Sequence, residues 1–449
     1  MSNKSNDLTV GRLPKQILFL SLPLMLSNLL QVLFNLSDIA VVGKFAGANA
    51  LGSVGSTAIL LTLFLAVPMG LAGGINVLTA LAIGSKSKKD VSETVHTAGI
   101  ISLIAGILLL LVGVVFARNI LMILHTKDEL IEGAVAYLHI YFLGMPALAL
   151  YNFGNAVFSA GGNTKKPLMY LSIAGVLNVI LNLFFVIALK IDVRGVALAS
   201  AISQYVSAFL ILKDLFSSHE IYRLRWGEMR LTGHKAKRIL QIGVPSAFQY
   251  MIYSVANLFV QSGVNSFSAT VVSGNSAAMN ADNLVYDIMA AFYTVCGTFM
   301  GQNLGARNKK RVINSYLISL LYSTLIAVVA GILLVIFSHQ FLGLFANDKA
   351  VIDAGVDRLM IMASCYWLSA AMDCTTAATR ALGKTVVPTI IMILGSCVFR
   401  IVWIYTVFAA FGTTSSIYLL YGVSWLITGI PEVIYFIYIY RKTVHELNL

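Results

Sequence analysis

The chain has 449 residues, 58% of them hydrophobic and only 11% charged, with 31 Lys and Arg against 19 Asp and Glu. A soluble domain carries roughly 25% charge, and no interior of this size could hide so much apolar surface, so a water-soluble fold is excluded. Nucleic-acid binding is excluded as well, because the basic residues sit in short breaks between apolar runs and not on one folded face.

The apolar runs are ~20 residues long, the length that crosses ~30 Å of hydrocarbon at 1.5 Å per residue. They predict twelve spanning helices at 16–43, 54–82, 94–117, 134–160, 167–189, 195–216, 240–267, 277–302, 312–337, 358–380, 388–410 and 417–440. The fold class is therefore an all-α integral membrane protein, since a lipid-exposed strand edge would leave backbone groups unpaired. The polar stretch Met1 to Lys15 leads into an apolar run too long for a signal-peptide core, so the first helix is expected to be retained. Cys296, Cys365, Cys374 and Cys397 all fall inside apolar runs without a C-x-x-C spacing, which points to neither a disulfide framework nor a zinc site.

With the N-terminus inside, the cytoplasmic segments carry 23 Lys and Arg and the opposite side 7, namely Lys44, Arg118, Lys127, Lys190, Arg194, Lys349 and Arg358. That bias puts both termini in the cytoplasm, with the cell membrane as the expected location, and leaves Arg400 as the one cation at mid-span. A shift of 221 residues superposes Gly84 on Gly305, Lys88-Lys89 on Lys309-Lys310 and Leu121 on Leu342. The same shift superposes two G-x-T-x-x-P segments, Gly162 to Pro167 and Gly383 to Pro388, and a one-residue gap extends the register back to Pro23 and Pro245. The expected organisation is a six-helix lobe at 1–216, a basic cytoplasmic linker at 217–238 and a second six-helix lobe at 239–449. An even number of spans per lobe relates the two by an axis along the membrane normal, which puts the expected substrate path between them. The linker carries Arg223, Arg225, Arg230, Lys235, Lys237, Arg238 and Trp226, and reads as a topogenic loop near anionic headgroups.

In order along this frame, the motifs resemble the multidrug and toxic compound extrusion (MATE) family, in its bacterial DNA-damage-inducible-F-like branch. The resemblance rests on Pro23 followed fifteen residues later by Asp38 within Asn35-Leu36-Ser37-Asp38, and on Val42-Gly43 closing the first helix. It also rests on Gly84 and Gly305, on Leu177-Asn178-Val179-Ile180-Leu181-Asn182 in the fifth helix, and on Ser203-Gln204 in the sixth. The resemblance covers nearly the whole chain. It implies antiport, in which a drug-like, often cationic molecule moves out as H⁺ or Na⁺ moves in.

A carboxylate at mid-membrane costs ~2.5–3.5 kcal/mol, so Asp38 in its apolar helix is expected to face a cavity and bind the coupling ion. Its alternative is a structural acid hydrogen-bonded to a neighbouring helix. The resemblance brings Asn178, Asn182 and Ser200 to Asp38, with Asn35 one turn away. These oxygens suit Na⁺ as well as a proton-linked network, so the sequence leaves the ion open and a Na⁺ at Asp38 is the one candidate metal. Asn178 and Asn182, four apart, fit interhelical hydrogen bonding equally well. Archaeal members of the family have a second Asp at the position of Asn182. The second lobe carries Asp282, Asp287, Asp373, Arg400 and Glu432. A lone mid-span Arg needs a partner, and Arg400 is expected to pair with Asp373 on the adjacent helix, leaving Asp282 or Asp287 to meet a cationic substrate. Where other branches have a Glu in the seventh helix this chain has Gln249, so a second-lobe Na⁺ site is not expected. Gln249, Tyr253, Asp282, Asp287, Met289 and Asp373 are the candidate substrate contacts, because Met and aromatic surfaces adapt to flat or cationic ligands.

Cation-coupled efflux of small molecules by a monomer without a cofactor is the leading reading. A lipid-linked-precursor flippase of the same superfamily is the alternative within transport, although those usually add two helices. A membrane-embedded enzyme is the alternative of a different class. The chain has no H-E-x-x-H, no nucleophile elbow and no Walker A motif, and His139 stands alone in the fourth span.

Overall fold

The computed structural model describes residues 7–447, and among them the chain is helical with no strand. Twelve long rods follow one another: α1 Leu13–Ala46, α2 Asn49–Gly84, α3 Lys88–Ile123, a broken α4 made of Asp128–Leu143 and Met145–Ala160 bent by 46°, α5 Lys165–Ala188 and α6 Val193–Ser217. The second six are α7 Gly233–Val264, α8 Ala269–Gly305, α9 Lys309–Ile336, α10 Lys349–Ala381, α11 Val386–Phe411 and α12 Thr414–Glu446. Ten of the twelve are long and apolar enough to cross a membrane, counting broken α4 as one. The exceptions, α7 and α10, carry Gln249, Asn257, Arg358, Asp373 and Arg380, which lower their hydropathy and supply much of the polar chemistry below.

Local signals set the helix ends. Ser87, Ser268, Asn308, Asp348 and Thr413 each accept a backbone N–H of the first turn that follows, the usual N-cap arrangement. Polarity is inverted relative to a soluble protein. On α3 the large side chains Ile104, Leu108, Leu111 and Val115 point outward, while Gly99, Gly106 and Gly113 face α4 at distances where a Cβ would strike Phe153, Pro146 and Phe142. Small residues at the helix contact and bulky ones toward lipid are the bilayer solution, because packing and not water exclusion drives association there.

The duplication extends to backbone conformation. Lys86 and Arg307, 221 residues apart, both have φ +57°, and Gly162 and Gly383 have φ +77° and +79°. Broken α4 and α10 also begin and end at equivalent positions, Asp128 with Lys349 and Ala160 with Ala381.

By internal packing the chain forms two units. One contains Leu26–Phe248; the other contains Leu8–Met25 together with the chain from Gln249 onward. The first helix therefore changes units two residues after Pro23, a division different from one drawn at the linker. Arg311 explains this membership: its guanidinium donates to the carbonyls of Leu8 (2.9 Å) and Gly11 (2.8 Å) and to Asn303 (3.1 Å), nailing the start of the chain to the second unit.

The linker is largely structured and belongs to the first unit. Tyr222 and Leu224 are buried in its core, and the Arg225 backbone N–H donates 2.9 Å to Nε2 of buried His96, whose Nδ1 lies 2.7 Å from the Ser92 carbonyl. Lys235 pairs with Asp90, and Glu228 accepts from Ser92 and Arg225, which hold its carboxyl below the usual carboxylate range. Arg223, Arg225 and Arg230 stay exposed, as does Trp226, which stacks on Phe216 at 4.4 Å.

The repeated left-handed positions make a test of the frame. Nothing lies within 4 Å of a Cβ added to Gly383, so Gly383→Ala costs only backbone strain, about 1–2 kcal/mol, and lowers Tm in detergent. Lys86→Gly relieves the same strain and raises it.

Candidate functional site

Asp38 lies on α1 one turn after Phe34, whose ring occupies the space that a Cβ on Gly175 of α5 would need. That missing side chain lets α1 and α5 approach closely enough for their polar groups to meet. The Asp38 carboxylate accepts from Asn182 Nδ2 at one oxygen and from Ser200 Oγ (3.3 Å) at the other. Asn182 Nδ2 also donates to Asn178 Oδ1 (3.2 Å), and Asn178 Nδ2 donates to Ser200 Oγ (3.3 Å). The four side chains, from three helices, close a ring in which every donor runs toward the carboxylate.

Asn178, Asn182 and Ser200 are buried, Asn182 at 0% exposure, Asp38 is half-buried, and one atom of the ring is left over. Asn182 Oδ1 has no hydrogen-bond partner. A buried acceptor without a donor is costly, and here it sits beside the group whose charge must be managed. A proton on Asp38 would need an acceptor, and a half-turn of the Asn182 amide supplies one. Alternatively the Asp38, Asn178, Asn182 and Ser200 oxygens form a hard set of the kind Na⁺ prefers. No cluster of three His, Cys, Asp or Glu side chains is present among the described residues.

Four of the five expected coupling residues therefore come together. Asn35 does not join them; it is exposed, one turn from Asp38. Sequence reasoning missed Tyr137 and Tyr141 of α4, which stack at 5.8 Å and lie within electrostatic reach of Asp38, and treated Gln204, a partner of Tyr141, only as a motif residue. The four-residue spacing of the two tyrosines was the available signal. His139, on the same helix, lines a separate cavity of about 650 Å³ with Glu132, Lys190, Asp192 and Arg194.

The second unit overturns several expectations. Arg400, fully buried, does not pair with Asp373. Its guanidinium donates to Ser424 (3.1 Å), Asn257 (2.9 Å) and Tyr253 (2.9 Å) and lies over the rings of Tyr253 and Tyr421 at 4.7 and 4.6 Å. Neutral oxygens and two π-faces satisfy this cation, while Asp373 accepts from Ser369 (3.3 Å) within electrostatic reach of Arg380 and Arg400. Arg358, assigned above to an outer loop, is buried. It pairs with Asp282 and Asn275 and lies 5.3 Å from the Tyr418 and Tyr421 rings. Asp282, which also accepts from Tyr366, is thereby committed and is not a free substrate carboxylate. Gln249 accepts from Arg380, Tyr253 serves Arg400, and Met289 is buried in the core beside Met372 and Trp425. Asp287 is half-buried on α8. The six candidate substrate contacts thus separate among three arginine-centred clusters, a core position and Asp287.

A family profile, MatE, matches this chain twice, over residues 23–184 and 245–406. The two matches begin at Pro23 and Pro245, where the internal repeat begins, and together they cover most of the chain. The chain belongs to the MatE family. Among curated relatives it is 31% identical over 323 residues to the probable multidrug resistance protein YpnP of Bacillus subtilis, covering 69% of each chain. It is 24% identical over 342 residues to DNA damage-inducible protein F of Escherichia coli, covering 74% of this chain and 73% of that one. A MOP superfamily transporter from Pyrococcus furiosus superposes with a TM-score of 0.92 over 99% of both chains at 21% identity, which establishes the shared fold. As a MatE protein the chain is a multi-pass membrane transporter of a multidrug efflux family and not an enzyme.

Two substitutions probe these clusters. Asn182→Leu strips the Asp38 carboxylate of its α5 donor and is expected to lower stability by about 1–3 kcal/mol, read as a drop in Tm that Asn178→Ala does not match. For Arg400, an ion pair with Asp373 would make losing either partner cost about 3–5 kcal/mol. The observed cage predicts that Asp373→Asn costs below about 1.5 kcal/mol while Arg400→Ala is severe, and thermal unfolding of both variants separates the two cases.

Proposed function

We propose that this MatE protein is a secondary active antiporter of the cell membrane, with both termini cytoplasmic and two six-helix lobes, which exports drug-like amphipathic molecules in exchange for H⁺ or Na⁺ at Asp38. The reading of the substrate as amphipathic, with cations included, leans on the multidrug designation of relatives such as YpnP. The observation that carries the coupling role is the closed ring around Asp38 with its one unpartnered oxygen on Asn182. Such a ring has two arrangements. With Asp38 ionised, donors on α5 and α6 converge on it and hold the three helices together. Neutralisation by a proton or by Na⁺ removes the reason for that convergence and frees the amides to reorganise, which is a two-state element biased by one charge. Only a ligand with different affinity for the two arrangements can shift them, and a cation competing for a carboxylate meets that condition.

The chain is expected to work as a monomer without a resident cofactor. Drug efflux from vesicles under imposed proton or sodium gradients tests the coupling assignment. Asp38→Asn, which fixes the neutral form without changing shape, is expected to lose gradient-driven export by at least about tenfold. Whichever gradient drives the wild type names the ion. Normal transport by Asp38→Asn under both gradients would refute the assignment.

A further inference from the structure

Two groups in the second unit have buried polar atoms left without partners, and they are complementary. Glu432 on α12 is 0% exposed, and neither of its carboxyl oxygens has a hydrogen-bond donor among the described residues. Arg380 on α10 donates to Gln249, but its Nε is buried with no acceptor. One is an acid lacking a donor; the other is a cation with a donor to spare. They lie within electrostatic reach of each other, on helices that pack together.

The remaining neighbours do not relieve Glu432. Thr428, one turn earlier on α12, is committed to Ser396 of α11 (2.8 Å) and to the Ser424 carbonyl (2.7 Å). Asp373 on α10 is a like charge within electrostatic reach, and Tyr316 on α9, packed on Phe436 one turn further along α12, is bound to Thr375 (2.9 Å). α11 contributes buried Cys397 beside Ser396, and α12 itself contributes Tyr435. A carboxylate without any donor is untenable in this setting, and two oxygens from one side chain are no shell for Na⁺. The group is stable here only with a proton on it. Pro431, the preceding residue, has no N–H and removes one rung of the helical ladder at the same turn, so the charge lies where α12 bends most readily.

We propose that Glu432 is a second proton-carrying group, with Arg380 as its alternate partner. In the arrangement described here the carboxyl holds its proton and stands apart from Arg380. On release, the O–H bond breaks, the proton passes to water, and the carboxylate closes on the Arg380 Nε–H, drawing α12 toward α10. Protonation from the other side of the membrane reverses the step. The proposal rests on the antiport reading for its role in transport, but proton binding at Glu432 stands on the second unit alone.

The test uses the full chain in liposomes. Dicyclohexylcarbodiimide, an apolar reagent that modifies protonated carboxyls, is expected to leave its adduct on the peptide containing Glu432 at acidic pH and not at alkaline pH. Arg380→Gln, which removes the partner that favours the carboxylate, extends labelling to higher pH. With ethidium as the exported probe and luminal pyranine reporting protons, Glu432→Gln is expected to move about twofold fewer protons per ethidium than the wild type where Asp38 carries the other proton, and none where Asp38 carries Na⁺. Absence of the adduct at every pH in a protein that is labelled at Asp38, or wild-type proton movement by Glu432→Gln, would overturn the proposal. Should Glu432→Gln fail to fold, labelling of the wild type decides. Wild-type behaviour of Asp38→Asn would sink the antiport reading while leaving the Glu432 adduct interpretable by itself.

Discussion

Inside a bilayer a polar group has no water to fall back on, so each buried donor or acceptor must find its partner within the protein or remain in deficit. Most of this molecule obeys. Arg400 gathers three neutral oxygens and two aromatic faces, and Arg358 takes a carboxylate, an amide, the Tyr418 ring and a share of the same Tyr421 ring. Against that background the exceptions carry information. Asn182 Oδ1, Arg380 Nε and both Glu432 oxygens are among the few buried polar atoms left over, and each belongs to a group placed beside an ionisable partner. A structure that satisfies every guanidinium nitrogen of buried Arg400 has little reason to neglect a carboxyl, except where a neglected state is one of two that it visits.

The two units solve the same packing problem with different chemistry. Helix ends, left-handed turns and the G-x-T-x-x-P segments recur at a fixed offset, because those positions answer to backbone geometry, which duplication preserves. Charged positions answer to a ligand or ion, and they have diverged. The first unit concentrates on a single carboxylate ringed by amides and a hydroxyl. The second distributes Arg358, Arg380 and Arg400 and the acids Asp282, Asp287, Asp373 and Glu432 over α8, α10, α11 and α12. One frame thus carries two electrostatic designs, since exchanging a side chain within a rigid rod perturbs the fold less than moving the rod.

Much of this was legible in the sequence. Twelve helices followed from the length of the apolar runs, and the Asp38 group followed from what the family resemblance implies for Asn178, Asn182 and Ser200. What escaped was partner identity. Arg358 falls at the boundary of an apolar run and so reads as a loop residue, whereas α10 begins at Lys349 and buries Arg358 more than two turns inside. Arg400 seemed to need an acid because charge is conspicuous in a sequence; a cage of Tyr, Asn and Ser drawn from α7 and α12 is not, since those residue types also occur everywhere else. Asp282 was read as free for the same reason, its partner being 76 residues away. Periodicity reports which face a residue occupies and is silent on what stands opposite.

The linker shows how far composition can mislead about mechanics. A basic stretch with Trp226 between two repeats reads as slack cord, yet the imidazole of His96 grips its backbone, Tyr222 and Leu224 plug into a core, and Lys235 closes the far end on Asp90. Exposed Arg223, Arg225 and Arg230 offer a trypsin-like protease ideal side chains, but the peptide bonds beside them are splinted. Cleavage needs an extended segment in the protease groove, so it must wait for this splint to come undone locally. The joint between the repeats is thus a rigid part of the first unit, and its survival under digestion measures how firmly that unit is held together.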